Sequence, residues 1–382
     1  MNAQDTIVVY DVSSKTINEI FPVDYDTSLL FDNSSYSVGS LGNQVSLSLT
    51  PPTSNLLVGS NFSDIVRAEL FYDVTKYPIR TAVKIFGWNN NSLSQGCSGI
   101  MIGENFVLTA AHCVQDRTNS NWLYDSILIA PAYDNGDFQP TFPQSTVEKY
   151  YVFKSYYNHS SFDDIALLKL NEPIGQQIGW AGMAFSSDTS YFSDKVFHKL
   201  SYPAAPNPND PTKIYNGDTL YYNYGLIDIV DSFLGINSPN AYGIPGQSGS
   251  SLFYTNNSEY YSFGILSYAT QYKHYQITNN IFHQLTSIIY DNPSISDDNY
   301  STVPLKIYPN PTSQSTILEF DNPSNENYTI KIFDITGDLM RTINDCKTNK
   351  VKLEKGNLSS GYYFIKVVSE KQVLATGKLI IL

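Results

Sequence analysis

Three strings decide the reading of this chain: Leu108-Thr109-Ala110-Ala111-His112-Cys113, Asp163-Asp164-Ile165-Ala166-Leu167-Leu168-Lys169-Leu170 and Gly246-Gln247-Ser248-Gly249-Ser250. In chain order they supply a histidine, an aspartate and a serine. A serine hydroxyl is a weak nucleophile at its own pKa. It needs a base within hydrogen-bond reach, and that base needs a partner to fix its tautomer. Glycines flanking a serine let the backbone turn its N–H groups toward a developing oxyanion. The N–H groups of Gly246 and Ser248 are the candidate pair. A Gly-x-Ser-Gly string alone is common, but the three strings in this order within one β-rich region are specific.

Around these strings the pattern is one of short strands. Thr6–Val12, Ala82–Phe86, Ser98–Ile102, Phe106–Leu108, Ile165–Leu170, Ser262–Ser267, Thr329–Phe333 and Tyr362–Val368 read as strands, with Gly, Asn, Pro and Ser clusters between them. Such spacing predicts an all-β sandwich or barrel. One helix is expected over Asn279–Tyr290, where Ile281, Phe282, Leu285, Ile288 and Ile289 share an apolar face ahead of Asp291-Asn292-Pro293. The polar stretch Ser294–Val303 reads as a linker. We expect a division into 1–57, 58–292, 293–304 and 305–382, the last a small independent β-domain. No internal repeat is present.

Composition narrows the classes further. The 382 residues suit two or three domains. Lys and Arg total 23 against 36 Asp and Glu, a formal net charge of −13. That balance argues against nucleic-acid binding, which needs clustered cations, and against a polybasic membrane surface. No apolar run approaches the ~18 residues of a membrane helix, so no membrane span is expected. Met1-Asn2-Ala3-Gln4-Asp5 has neither the basic nor the apolar region of a signal peptide.

The segment from about Tyr72 to Tyr290 resembles a trypsin-like serine peptidase, and more narrowly the bacterial glutamyl endopeptidase branch. The likeness rests on Tyr77-Pro78-Ile79-Arg80-Thr81-Ala82, Gly96-Cys97-Ser98-Gly99, Thr109–Cys113, Leu170-Asn171-Glu172-Pro173-Ile174-Gly175 and Gly246–Ser250. It implies a chymotrypsin-like double β-barrel with a C-terminal helix and a secreted endopeptidase acting on protein or peptide substrates, with no cofactor or metal. It implies that His112 is general base and then acid, that Asp164 orients it, and that Ser248 is the nucleophile. Asp163 is then a structural neighbour. Gly246 and Ser248 would form the oxyanion hole, and Ser267 would pair with the substrate backbone. Tyr242, Gly243, Leu266, Tyr268 and His274 would lie about the specificity pocket. Cys97 and Cys113 occupy the positions the family joins by a disulfide, worth roughly 3 kcal/mol for a loop of this length. Cys346 is left over, read as a buried small hydrophobe.

Two residues depart from the pattern. Gln247 replaces the wider family's aspartate, so activation by an ion pair to a new amino terminus is closed to this chain. Leu266 stands where the glutamyl branch reads a substrate carboxylate with histidine. An acidic preference would then rest on His274 or Lys273, and the alternative for His274 is a strand residue facing solvent. The stretch Tyr242-Gly243-Ile244-Pro245 carries no acid, which argues against cleavage after Lys or Arg. The resemblance leaves a peptidase-like binding protein without activity, or a peptidase with apolar or small-residue specificity, as alternatives. His159, His198 and His283 show no metal spacing and are each expected to be a surface or partly buried residue. Asp134-Asn135-Gly136-Asp137 is expected to be a tight turn.

The end of the chain carries a second resemblance. Tyr308-Pro309-Asn310-Pro311-Thr312, Ile332-Phe333-Asp334-Ile335-Thr336-Gly337, Leu358-Ser359-Ser360-Gly361-Tyr362-Tyr363 and Thr376–Leu382 together resemble the C-terminal sorting domain of the type IX secretion system of Bacteroidetes. This implies a small β-sandwich, recognition by that secretion machinery, and export through the outer membrane to the cell surface or medium. The start of the chain then reads as lacking an already removed signal peptide. Leu57-Val58-Gly59-Ser60 resembles the mature start of the glutamyl branch, so 1–57 is expected to be a propeptide or an attached extension.

Overall fold

Apolar runs bounded by turn residues form the strands. Ala82–Asn89 is buried along its first six residues and Ala166–Leu170 along four of its five, so each lies inside a layer covered on both sides. The computed structural model describes residues 6–20, 34–37, 39–42, 62–90, 92–94, 96–116, 121–158, 163–193, 195–208, 210–230, 233–235, 243–256, 259–268, 273–291, 303–320, 322, 327–334, 339–369 and 373–382. The chain divides into two units, Met1–Asn292 and Pro293–Leu382.

The first sheet of the larger unit runs Ser126–Pro131, Ala82–Asn89, Ser98–Gly103, Phe106–Thr109, Ala166–Leu170, Ser145–Phe153. Ser126–Pro131 also pairs with Ser145–Phe153, which closes the ring into a barrel. Outside it, Ile7–Asp11 lies antiparallel to Ser145–Phe153, with Ile7 opposite Phe153 and Asp11 opposite Lys149. Ile7, Val8 and Val9 are buried. Part of the segment expected as an extension or propeptide is therefore built into this sheet. Residues 57–60 lie outside the described residues.

The second sheet runs Asp228–Val230, Phe233–Gly235, Lys273–Gln276, Glu259–Tyr268, Ser251–Asn256, Phe197–Ser201, Tyr221–Gly225, Val66–Arg67. One apolar core takes in side chains of both sheets and the inner face of the helix Asn279–Asp291, through Ile281, Phe282, Leu285, Ile288 and Ile289. The Asp134–Asp137 turn forms as expected. Asp134 and Asp137 exchange backbone hydrogen bonds, and Asn135 and Gly136 take φ of 53° and 82°.

The smaller unit has a five-stranded sheet, Val303–Pro304, Val373–Ile381, Gly361–Ser369, Tyr328–Asp334, Leu339–Cys346, and a three-stranded sheet, Lys306–Tyr308, Ser315–Glu319, Lys350–Glu354. Leu318 and Leu353 from one sheet and Ile330, Ile365 and Leu379 from the other share a core, the arrangement of a small sandwich. Val303–Pro304, expected in the linker, instead pairs with Val373–Ile381, and 293–302 lies outside the described residues. Cys346 is a free thiol and only half-buried, since the edge strand Leu339–Cys346 leaves one side open to water.

Candidate active site

Strand pairing brings the histidine and the aspartate together. His112 sits in the short helical turn Ala111–Cys113 directly after Phe106–Thr109. Asp164 lies two residues before Ala166–Leu170, whose Ala166 is opposite Thr109. The two residues leave adjacent strand ends on the same side of the barrel. Asp164 Oδ2 lies 2.7 Å from His112 Nδ1, and Asp164 Oδ1 accepts the His112 backbone N–H at 2.9 Å. The Ser267 hydroxyl donates to Asp164 Oδ2 at 2.5 Å. Burial raises the Asp164 carboxyl, but the His112 charge and the hydrogen bonds from His112 and Ser267 outweigh it and hold the group below the usual carboxylate range. Asp163 is engaged elsewhere, by Tyr275 Oη at 2.6 Å and Ser155 Oγ at 2.5 Å.

The loop of Ser248, which leads into Ser251–Asn256 of the second sheet, is bonded to the strands that precede His112. The Ser248 carbonyl accepts the Ser98 N–H at 2.8 Å, and the Ser98 carbonyl accepts the Thr109 hydroxyl at 2.8 Å. Ser98 Oγ donates to the Gly246 carbonyl and accepts the Tyr202 N–H. Sequence reading missed this role for Ser98, because nothing local distinguishes it from other strand serines. Gly249, at φ 79°, brings its Cα so close to the first barrel that a Cβ would stand 2.0 Å from Thr109 Oγ1 and 2.3 Å from the Ser98 carbonyl. Only glycine fits there without backbone movement. The Gly249 N–H donates to the Leu266 carbonyl, one residue from Ser267. A continuous chain of contacts thus joins the serine loop to the Asp164–His112 pair.

The amides of this loop divide into two sets. Those of Gln247, Gly249 and Ser250 donate to the carbonyls of Ile244, Leu266 and Gln247. Those of Gly246 and Ser248 meet no acceptor among the described residues. Gln247 is fully buried. Its Oε1 accepts the Ile244 N–H at 2.9 Å and its Nε2 donates to Ser201 Oγ at 2.8 Å. Neutral hydrogen bonds therefore hold this loop where the wider pattern uses an ion pair.

Cys97 and Cys113 are bonded, with Cα atoms 6.0 Å apart. Cys97, Cys113 and His112 donor atoms lie within 4.8 Å of one another, but sulfurs tied in a disulfide offer no thiolate to a metal. Cys97→Ser should lower stability by roughly 3 kcal/mol. Equal melting temperatures of variant and wild type, with and without reductant, would contradict this.

The specificity candidates are placed unevenly. Leu266 is buried and stands opposite His274 in the ladder. His274 is fully buried, so the solvent-facing alternative is corrected: it lies on an interior strand between Phe233–Gly235 and Glu259–Tyr268, on the face that also buries its cross-strand neighbour Leu266. Gly243 is described and buried, whereas Tyr242 and the side chains of Tyr268 and Lys273 lie outside the described residues. His198 is also corrected, being 1% exposed and 2.7 Å from Tyr222 Oη, since its strand lies in the middle of the sheet. His283 is partly buried on the helix, and His159 lies outside the described residues.

A closed barrel joined to a second sheet through one apolar core, with the histidine and aspartate paired at 2.7 Å and the serine loop bonded to the same barrel, defines a chymotrypsin-like fold. Residues 75–288 match the Trypsin family model, and the chain belongs to that family. Residues 306–382 match the secretion system C-terminal sorting domain, the type IX sorting domain. The chain is similar to the glutamyl endopeptidase of Bacillus licheniformis, 25% identical over 225 residues, covering 56% of this chain and 65% of that protein. It is also similar to an extracellular metalloprotease of Bacillus subtilis, 25% identical over 214 residues, covering 49% of this chain and 65% of the relative. The chain thus spans about two thirds of the length of these relatives. A solved structure titled as Glu endopeptidase in complex with MPD superposes with a TM-score of 0.46 at 15% identity, covering 62% of this chain and all of that one.

Proposed function

We propose that this chain is an exported serine endopeptidase. The observation that carries the reading is the pair of amides, Gly246 and Ser248, that meet no acceptor among the described residues, in a serine loop packed against Thr109 and Ala110, just ahead of the His112 that pairs with Asp164. Ser248 Oγ attacks the peptide carbonyl while His112 takes its proton. The two amides stabilise the oxyanion of the tetrahedral intermediate. His112 then protonates the leaving amine, which leaves an acyl-enzyme for water to hydrolyse by the same steps in reverse. Asp164 holds the imidazole with Nδ1–H toward itself, so that Nε2 is the proton acceptor.

Substrate would lie along Ser267 and Tyr268, with the side chain before the cut entering beside Gly243, Leu266 and His274. Relatedness to a glutamyl endopeptidase supports an acidic residue there. The buried Leu266 favours an apolar or small one. The sorting domain supports passage through the type IX machinery to the cell surface or medium, and the Cys97–Cys113 bond suits an oxidising compartment. We assign residues 58–292 to the peptidase and 305–382 to the sorting domain.

A serine-directed organophosphonate should label Ser248 of the purified protein, and digestion of a peptide library should yield defined cut sites. Absence of both label and cleavage would refute the reading.

A further inference from the structure

We propose that Lys199 sets the residue preferred before the cut, its ammonium pairing with an acidic substrate side chain. The proposal deepens the peptidase reading and rests on it.

Lys199 lies in the strand Phe197–Ser201 and is 3% exposed. No hydrogen bond or ion pair engages it among the described residues. Its cross-strand neighbours are Leu252 on one side and Asn223 on the other, neither of them charged. Burial alone pushes the ammonium down to about 7, and no nearby carboxylate counters it. Lysine is almost never fully buried without a partner, because the charge loses its hydration and gains nothing in return. By contrast, Lys350 paired with Glu319 and Lys352 paired with Glu354 are exposed. Lys199 has the burial of an ion-pair residue and no ion.

The side of the strand that carries Lys199 is the one that meets the serine loop. Alternation places Phe197, Lys199 and Ser201 on a single face. Ser201 Oγ accepts the hydrogen bond from Gln247, the residue before Ser248. Lys199 is therefore one pleat repeat, about 6.6 Å, beyond the point where the loop touches this strand. The ladder extends that face sideways. Leu252 lies opposite both Lys199 and Gly264, and Leu266, two residues on from Gly264, lies opposite His274. This places Lys199 on the same sheet face as the residues assigned to the pocket. A side chain of an acylating substrate that runs down this face meets apolar Leu252 and Leu266 on the way. A carboxylate at its end would supply the missing counter-charge, which a carboxamide of equal shape lacks.

The test uses the purified chain and three peptides that differ only in Glu, Gln or Leu before the cut. Wild type should show kcat/KM at least tenfold higher for Glu than for Gln. Lys199→Met should bring that ratio to about one, with labelling of Ser248 by a leucyl phosphonate verifying that the site is assembled. If the Met variant does not fold, Lys199→Gln serves, and the wild-type ratio needs no variant. A wild-type ratio of one or below overturns the proposal while cleavage of the Leu peptide leaves the peptidase reading intact. A ratio that survives Lys199→Met but is lost in His274→Ala assigns the role to the imidazole and also overturns it. Failure to cleave any peptide or to label Ser248 overturns both.

Discussion

Replacement of Ser248 by alanine should lower peptide hydrolysis by on the order of 10⁶-fold, the loss that follows removal of the nucleophile from a triad. The fold should be unaffected. What holds this residue is backbone: its carbonyl bonds Ser98, and its neighbours are fixed through the amides of Gln247, Gly249 and Ser250. Among the described residues no side-chain hydrogen bond of Ser248 is part of that framework, so the variant removes one oxygen and leaves the loop in place. Circular dichroism and melting temperature should match wild type while phosphonate labelling disappears. The amides of Gly246 and Ser248 persist, so a remnant of about 10³–10⁴-fold over the uncatalysed rate should remain. A variant within tenfold of wild-type turnover would remove Ser248 from the mechanism.

Asp164→Asn should cost about 10⁴-fold in turnover with little change in geometry. An asparagine oxygen can still accept the His112 amide. Its Nδ2, however, would face His112 Nδ1, now a 2.7 Å contact to a carboxylate oxygen, and would donate to it. That forces the ring proton onto Nε2, the nitrogen that in the proposed mechanism accepts the Ser248 proton. The Ser267 hydroxyl, which donates to the same oxygen, must turn around as well. The substitution also changes the acid response of the fold. The folded carboxyl titrates below its unfolded value, so its contribution to stability is complete above the ordinary carboxylate pKa of ~3.9 and is lost as pH falls through the folded value. Wild type should therefore lose more stability than Asp164→Asn between pH ~4 and ~2, measured by urea unfolding. Parallel stability curves, or activity within a hundredfold of wild type, would contradict this account.

Local patterns were enough for several features. The apolar spacing of Ile281, Phe282, Leu285, Ile288 and Ile289 marks a helix face at any tertiary placement, and Asp134-Asn135-Gly136-Asp137 turns because asparagine and glycine tolerate positive φ. The residue types of the candidate site were also legible, since a weak nucleophile, a base and an orienting acid must each be supplied by particular side chains. The pairing of Ile7–Asp11 with Ser145–Phe153 was not legible, because strand partners far apart in the chain leave no local signal.

Sequence by itself determined the strand-rich character of the chain, the short helix, and the histidine, aspartate and serine that the family motif names. Tertiary structure alone decided which groups face one another. It set Ser267 and His112 on Asp164, tied Gln247 to Ser201, and sank His198, Lys199 and His274 into the second sheet. The physical reason is that a strand's burial and the facing of its side chains depend on which strands flank it and in what register. A polar residue such as Lys199 carries no mark in its own segment of the desolvation that its neighbours impose.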